Sequence, residues 1–157
     1  MNNSTTTVWS VPLYPGGREQ IHRVMTLELP TMPAITWLPD PQAHDFPAAL
    51  DYLTLVIDEA IAKSAVTALQ RAVTVRKRAK DILRASGLSV LGQDNVHVRN
   101  DLRKVHAGTP LSPVLLVRGD AGAGRPLLIA DGYHRVCAAH LLDEDAEIPC
   151  RLVSLPA

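Results

Sequence analysis

The sequence predicts an α+β domain in which a small mixed β-sheet packs with helices and an N-terminal helical extension covers it. Three observations lead to this fold class. The chain has 157 residues, of which 46% are hydrophobic, and this is enough for one domain with a full core. Apolar residues recur at helical spacing from about residue 45. The C-terminal part instead contains three short apolar runs bounded by turn residues, which are typical of strands.

The N-terminal part is expected to be irregular. Residues 1–22 are polar and interrupted by glycine and proline, so they are predicted to form a flexible arm. The partly alternating segment 23–29 is a candidate strand, and prolines then keep the chain irregular as far as about residue 45. Residues 35–38 add a short extended piece. We therefore divide the chain into this arm and a single α+β domain at 23–157.

Four helices are expected before the C-terminal part. Asp45 is a good N-cap and Pro47 is tolerated in a first turn, so the first helix begins here and its apolar spacing continues to Ala60. The other three are predicted at 65–73, at 75–86, where Gly87 stops the helix, and at 98–107, where Gly108 gives the C-terminal signal.

The C-terminal part is predicted to run strand, loop, strand, helix, strand. The strands are expected at 113–117, 127–130 and 148–153, and the helix at 132–142. The apolar stripe of this helix is expected to consist of Tyr133, Val136, Cys137, His140 and Leu141.

The turn between the second of these strands and the helix carries the main functional signal. His134 and Arg135 lie off the apolar stripe, at the end of the helix where unpaired N–H groups attract anions. Arginine offers two parallel donors to phosphate, and histidine adds a donor or a proton. Asp131 would repel a phosphate, so it is expected to cap the helix, to hold Arg135, or to bind a metal that accompanies the phosphate. The alternative is a plain N-cap followed by a solvated first turn.

The order of elements around this turn is also informative. A helix at 102–105 with Gly108, a strand at 111–117, the turn at 129–135 and a strand at 148–153 follow one another. In this order and in its Gly-Tyr-His-Arg motif, the chain from about 94 to 153 resembles the ParB/sulfiredoxin-like domain. In that family the turn binds nucleotide phosphates, ATP in sulfiredoxins and CTP in partition proteins.

The resemblance implies a nucleotide, ATP or CTP with Mg²⁺, as the ligand of a stand-alone family member. Any catalysis would be phosphoryl transfer or hydrolysis, with Asp131 and His134 as the catalytic residues. The residues that would hold phosphate are Gly132, Tyr133, His134 and Arg135, joined by Arg103 or Lys104 from the preceding helix.

Two departures from the family pattern limit this expectation. Sulfiredoxins carry their catalytic cysteine between the glycine and the His-Arg pair, where this chain has Tyr133. Cys137 lies one turn further on the apolar stripe, so sulfinic-acid reductase activity is not expected. Partition proteins continue into a helix-turn-helix region, whereas this sequence ends at Ala157, so a complete partition protein is not expected either.

Composition excludes some functional classes. The 16 basic and 16 acidic residues give no net charge, unlike most dedicated nucleic-acid binders. No apolar run approaches the roughly 20 residues that span a bilayer, and the N-terminus lacks a signal-peptide core, so a cytoplasmic protein without a membrane partner is expected. The two cysteines, Cys137 and Cys150, are expected to be buried free thiols.

Two other parts of the sequence are candidate sites besides the turn. His44 and Asp45 could form an acid–base or metal pair with Asp131 or His134, but the six histidines lack zinc spacing and no metal ligand set is predicted. The stronger alternative is a non-enzymatic module that binds DNA, RNA or a partner protein through a basic helix at 76–84. A homodimer is also compatible with the sequence. The basic residues of this region are Arg71, Arg76, Lys77, Arg78, Lys80 and Arg84.

Overall fold

The computed structural model describes residues 31–156. The predicted arm at 1–22 and the predicted strand at 23–29 lie outside the described residues. From Met32 onward the described chain forms one compact unit. No helix within it is long and apolar enough to cross a membrane.

Five helices and four strands make up the described part of the chain, and they confirm the α+β class. In chain order they are α1 (Asp45–Leu53), α2 (Glu59–Arg71), β1 (Thr74–Arg78), α3 (Ala79–Ser86), α4 (Val96–His106), β2 (Val114–Val117), β3 (Leu128–Asp131), α5 (Tyr133–Leu142) and β4 (Glu147–Val153).

The four strands form one mixed sheet in the order β1-β4-β2-β3. β1 pairs with β4 and β2 with β3 in antiparallel fashion, whereas β2 and β4 are parallel. The predicted extended piece at 35–38 is present as a single parallel bridge between Trp37 and Leu111.

Helices cover both faces of the sheet, which explains why β2 is apolar at every position. Val114 and Leu116 belong to one core with residues of α3, α4 and α5. Leu115 and Val117 belong to a second core with residues of α1 and α2. Because successive strand residues point to opposite faces, a strand buried on both sides needs an uninterrupted apolar run.

The first predicted helix differs from the observed one at both ends. Asp45 is not the N-cap: it lies inside the first turn of α1, its carboxylate is buried, and His44 occupies the cap position. The helix ends at Leu53 instead of continuing to Ala60. Asp58, whose carboxylate accepts from the Ala60 and Ile61 N–H groups, starts a separate helix α2.

The prediction of one basic helix at 75–86 was wrong in its first half. The first half of this segment is the edge strand β1. The helix α3 begins at Ala79 and ends at Ser86, and Gly87, with a φ of +67°, caps it as predicted. β1 forms because it pairs with β4, a contact about seventy residues away that local sequence does not encode. The basic side chains therefore occupy two different elements.

The prediction of which residues form the apolar stripe of α5 was also partly wrong. Leu141 is exposed, and the small residues Ala138 and Ala139 are buried instead, together with Val136 and Cys137. α5 thus packs partly through alanines, which belong to the core that it shares with α3, α4 and one face of the sheet.

Candidate functional site

The turn between β3 and α5 depends on a glycine that no other residue replaces easily. Gly132 has a φ of +103°, and a Cβ added there would lie 2.5 Å from the Val114 Cγ1 atom. Gly132 is also the N-cap residue of α5, and no side chain within residues 31–156 caps this helix. Asp131 is therefore not a helix cap, and the first-turn N–H groups of α5 have no side-chain acceptor in the part of the chain that the structure describes.

Asp131 holds Arg135, which is one of the three roles that the sequence predicts for it. The Arg135 Nη2 atom donates to the Asp131 Oδ2 atom at 2.6 Å, one helical turn away. The Nη1 atom of the same guanidinium lies 3.7 Å from the Asp45 Oδ1 atom. Arg135 is therefore positioned by two carboxylates, one from its own turn and one from α1.

Asp45 does reach the turn, but through an ion pair with Arg135, a partner that the sequence did not predict. Its side chain is only 2% exposed, and its Oδ2 atom accepts hydrogen bonds from the Ser112 hydroxyl and from the Gln42 N–H at 2.8 Å. The neighbouring His44 is mostly exposed, with its Nε2 atom 3.5 Å from Asp45 Oδ1. An aspartate at a helix start is usually a cap, and no local signal shows that Ser112 and Arg135 approach it.

The paired carboxyl groups affect the protonation of Asp131. Burial raises the pKa of the Asp131 carboxyl above its ordinary value, and the nearby Asp45 carboxyl raises it further. The Arg135 guanidinium acts in the opposite direction. Asp131 therefore takes up a proton at a higher pH than an exposed aspartate does.

A polar cavity of about 210 Å³ opens in front of this turn. Two elements line it: the turn itself and the helix α4, whose side chains face the turn. The lining residues are His97, Asn100, Asp101, Lys104, Asp131, Gly132, His134 and Arg135. The structure therefore brings most of the predicted site residues to one place.

Two imidazoles lie together at this cavity. The ring centroids of His97 and His134 are 4.7 Å apart, with the planes tilted by 40°. Burial lowers the pKa of His134, and the adjacent His97 lowers it further, whereas Asp101 acts against this shift. His134 is thus kept mainly neutral near pH 7, a form in which one ring nitrogen donates and the other accepts.

The structure distinguishes between the two basic residues considered on α4. Lys104 lines the cavity, with its Nζ atom 3.3 Å from the Asp101 Oδ1 atom. Arg103 does not line it and instead faces a separate, more apolar cavity of about 280 Å³ together with Met32 and Leu142. Only Lys104 is placed to contact a ligand at the turn.

Tyr133 and Cys137 have structural contacts rather than a place in the cavity lining. The Tyr133 hydroxyl donates to the Ser89 carbonyl at 2.5 Å. The Cys137 Sγ atom accepts the Leu91 N–H at 3.4 Å, and burial raises the pKa of this thiol. Cys137 and Cys150 are both buried and free, as predicted.

Within residues 31–156, no three His, Cys, Asp or Glu side chains converge as the ligands of a metal ion. Comparison of the chain with protein-family models, with curated proteins and with solved structures gives no significant match. The resemblance to the ParB/sulfiredoxin-like domain therefore stays a prediction from the sequence.

Proposed function

We propose that the cavity between α4 and the N-terminal end of α5 binds the phosphate group of a nucleotide or of another small phosphorylated molecule. One observation carries this proposal: the N-terminus of α5, which no side chain of the described residues caps, opens at Gly132 into a cavity lined by Lys104, His97 and His134. Free backbone N–H groups, an ammonium group and imidazoles are suitable donors to phosphate oxygens.

The size of the cavity limits what enters it. A volume of about 210 Å³ is below the roughly 300–1,000 Å³ of most small-molecule sites. The phosphate portion of the ligand would fill this space, and the remainder of the molecule would lie outside it. The resemblance of the turn to the ParB/sulfiredoxin-like motif supports a nucleotide, ATP or CTP, as that molecule.

Charge at the cavity favours a ligand that brings a cation with it. Asp101 and Asp131 line the cavity, and among the described residues they form ion pairs with Lys104 and Arg135, respectively. A phosphate that enters alone meets both carboxylates, whereas Mg²⁺ needs only one or two carboxylates and keeps several water molecules. We therefore expect Mg²⁺ to strengthen nucleotide binding.

The site also contains groups suited to phosphoryl transfer or hydrolysis. Arg135 would stabilise charge on the phosphate, although its Nη2 atom already donates to Asp131. His134 would donate to a phosphate oxygen or transfer a proton. Asp131, with its raised pKa, would exchange a proton with the attacking group.

A thermal-shift series with ATP, CTP, GTP and inorganic phosphate, each with and without Mg²⁺, tests this proposal. A ligand at 100 times its dissociation constant adds about 2.7 kcal/mol to the free energy of unfolding. The matched variants are Lys104→Gln and Arg103→Gln, which remove the same charge from adjacent positions on α4. Lys104→Gln should abolish most of the shift and Arg103→Gln should preserve it. No shift with any of these compounds, or equal loss in both variants, would refute the proposal.

A further inference from the structure

The open edge of the sheet at β1 offers a second surface, separate from the cavity. β1 is the terminal strand in the order β1-β4-β2-β3, and within residues 31–156 it pairs only with β4. All five of its residues are exposed. No described helix or loop hydrogen-bonds to its outer side, so this side presents unpaired backbone groups.

The positions of these unpaired groups follow from the register. The Ala79 N–H donates to the Ala146 carbonyl at 2.9 Å, directly beyond the last residue of β1. Hydrogen-bonded and non-hydrogen-bonded pairs alternate in antiparallel strands. The backbone N–H and C=O groups of Val75 and Lys77 therefore point toward β4. Those of Thr74, Arg76 and Arg78 point outward. Inward and outward backbone groups thus alternate along the whole of β1.

The partner of Arg76 across the ladder agrees with this arrangement. Arg76 lies opposite Pro149, which has no N–H to exchange. A proline fits a non-hydrogen-bonded pair without loss of a ladder bond. Among the described residues the Arg76 N–H therefore has no partner, which leaves it available to an added strand.

The side chains of this edge combine apolar and basic character. Val73, next to the strand, is 79% exposed, and Val75 is 36% exposed. Among the described residues no carboxylate lies within 4 Å of a basic nitrogen of Arg76 or Lys77, whereas Arg78 has Asp145 at 3.7 Å. Uncompensated positive charge on an edge strand repels a second strand of the same charge and attracts an acidic one.

Three kinds of molecule could add to this edge, and the charge pattern of β1 favours one of them. A second copy of this chain that paired antiparallel through β1 would place its own Arg76–Arg78 run against the same basic run. A nucleic acid would find phosphate contacts here but no aromatic side chain within β1 on which a base could stack. An acidic extended peptide can form hydrogen bonds with the outward backbone groups of β1 and ion pairs with its basic side chains.

We propose that β1 is a docking edge for an acidic, extended segment of a partner protein, which adds to the sheet as a fifth strand. Backbone hydrogen bonds to Thr74, Arg76 and Arg78 supply the attachment, and the basic side chains select for acidic residues. This interaction is independent of phosphate binding at the cavity, because none of the cavity-lining residues belongs to β1.

The test titrates the full chain with a short peptide of alternating glutamate and valine, and with a control peptide in which lysine replaces glutamate. The readouts are the dissociation constant and the hydrogen-exchange rate of each β1 amide. The acidic peptide should slow exchange of the Arg76 and Arg78 amides and leave that of Lys77, already bonded to β4, nearly unchanged. Binding should weaken as salt rises.

Two substitutions at one position separate the backbone from the charge. Arg76→Gln removes the charge and keeps the N–H, and should weaken the acidic peptide about threefold. Arg76→Pro removes both the charge and the N–H. It should weaken binding of the acidic peptide about tenfold further, which corresponds to the loss of one hydrogen bond. Thr74→Pro, compared with Thr74→Ala, repeats the backbone test at the start of the strand if Arg76→Pro does not fold.

Several results would overturn the proposal. Equal weakening by Arg76→Gln and Arg76→Pro would show a charge contact without strand addition. Equal affinity for the lysine peptide would remove the basis for an acidic partner. Protection of the Arg76 amide in the protein alone would show that the edge is already occupied. Binding of single-stranded DNA or RNA, with no binding of the acidic peptide, would assign the edge to nucleic acid instead.

Discussion

Asp45 and Arg135 form an ion pair, with 3.7 Å between the Oδ1 and Nη1 atoms, that joins α1 to the turn of the candidate site. The Asp45 side chain is 2% exposed and that of Arg135 is 16% exposed. Asp45 is fixed in turn by the Ser112 hydroxyl and the Gln42 N–H. The buried network means that the geometry of the turn depends on a helix far from it in sequence.

Replacement of Asp45 by asparagine should destabilise the protein. The substitution keeps the shape of the side chain but removes a buried charge that faces Arg135, leaving this arginine with Asp131 alone. Loss of one partner of a buried ion pair costs about 3–5 kcal/mol, and the remaining Asp131 should reduce this to about 2 kcal/mol. Urea denaturation measures the change. The control is Asp120→Asn, which breaks an exposed pair with Arg125 and should cost less than about 0.5 kcal/mol. A similar loss in both variants would contradict the buried network.

The Asp131 carboxyl should titrate above its ordinary pKa of 3.8, because burial and Asp45 both disfavour its charged form. The folded protein then binds this proton more tightly than the unfolded chain. The contribution of Asp131 to stability therefore falls as pH rises from 3.8 through its folded pKa. Carbon-detected NMR titration of the carboxyl measures the shift. The pKa of Asp131 should drop in Asp45→Asn, and an unchanged value there would show that the two carboxyls do not interact.

His134 should titrate below its ordinary pKa of 6.5, because burial and the adjacent His97 disfavour the imidazolium form. The unfolded chain then binds this proton more readily than the folded protein. The contribution of His134 to stability is therefore lost as pH falls from 6.5 through its folded pKa. His97→Gln should raise the pKa of His134 in an NMR titration of the imidazole. His106→Gln, on the same helix but outside the cavity lining, should leave the pKa of His134 unchanged. A larger shift in His106→Gln than in His97→Gln would contradict the pairing of the His97 and His134 rings.

Neither cysteine should react with an aromatic disulfide reagent in the folded protein. Burial raises the pKa of the Cys150 thiol to about 11 and raises that of Cys137 as well, so little thiolate exists at neutral pH. Both thiols should react fully after denaturation in urea. Rapid reaction of Cys137 in the folded state would contradict this prediction, because it would show that the reagent reaches the Cys137 thiol on α5.

The sequence predicted those parts of the fold that depend on local pattern. The C-terminal strands, α4 and α5 carry their own apolar spacing, α4 is followed by its stop residue Gly108, and all are observed within a few residues of their expected places. The edge strand β1 was missed because its charged residues form a strand only through pairing with β4.

The candidate site shows the same division between local and distant information. The turn and the positions of His134 and Arg135 in it follow from the strand–glycine–helix pattern, and these residues do line the cavity. Asp45 and His97 come from other elements, and only the packing of α1 and α4 against the turn brings them there. One sequence contains no periodicity that reports such contacts.

Replacement of Gly132 by alanine should disrupt the turn more than the same change at another left-handed glycine. The new Cβ would lie 2.5 Å from Val114 Cγ1 and 2.9 Å from an Arg135 Nη atom, in addition to the strain of a φ of +103°. The combined strain and overpacking should cost about 3 kcal/mol or more. Gly87→Ala is the control, because Gly87 also has a positive φ, +67°, but open space around its Cβ position, and it should cost about 1 kcal/mol. Urea denaturation of both variants gives the difference, which isolates the contact with Val114 and Arg135. Equal losses would mean that the turn tolerates a side chain at Gly132 and that close packing does not fix its shape.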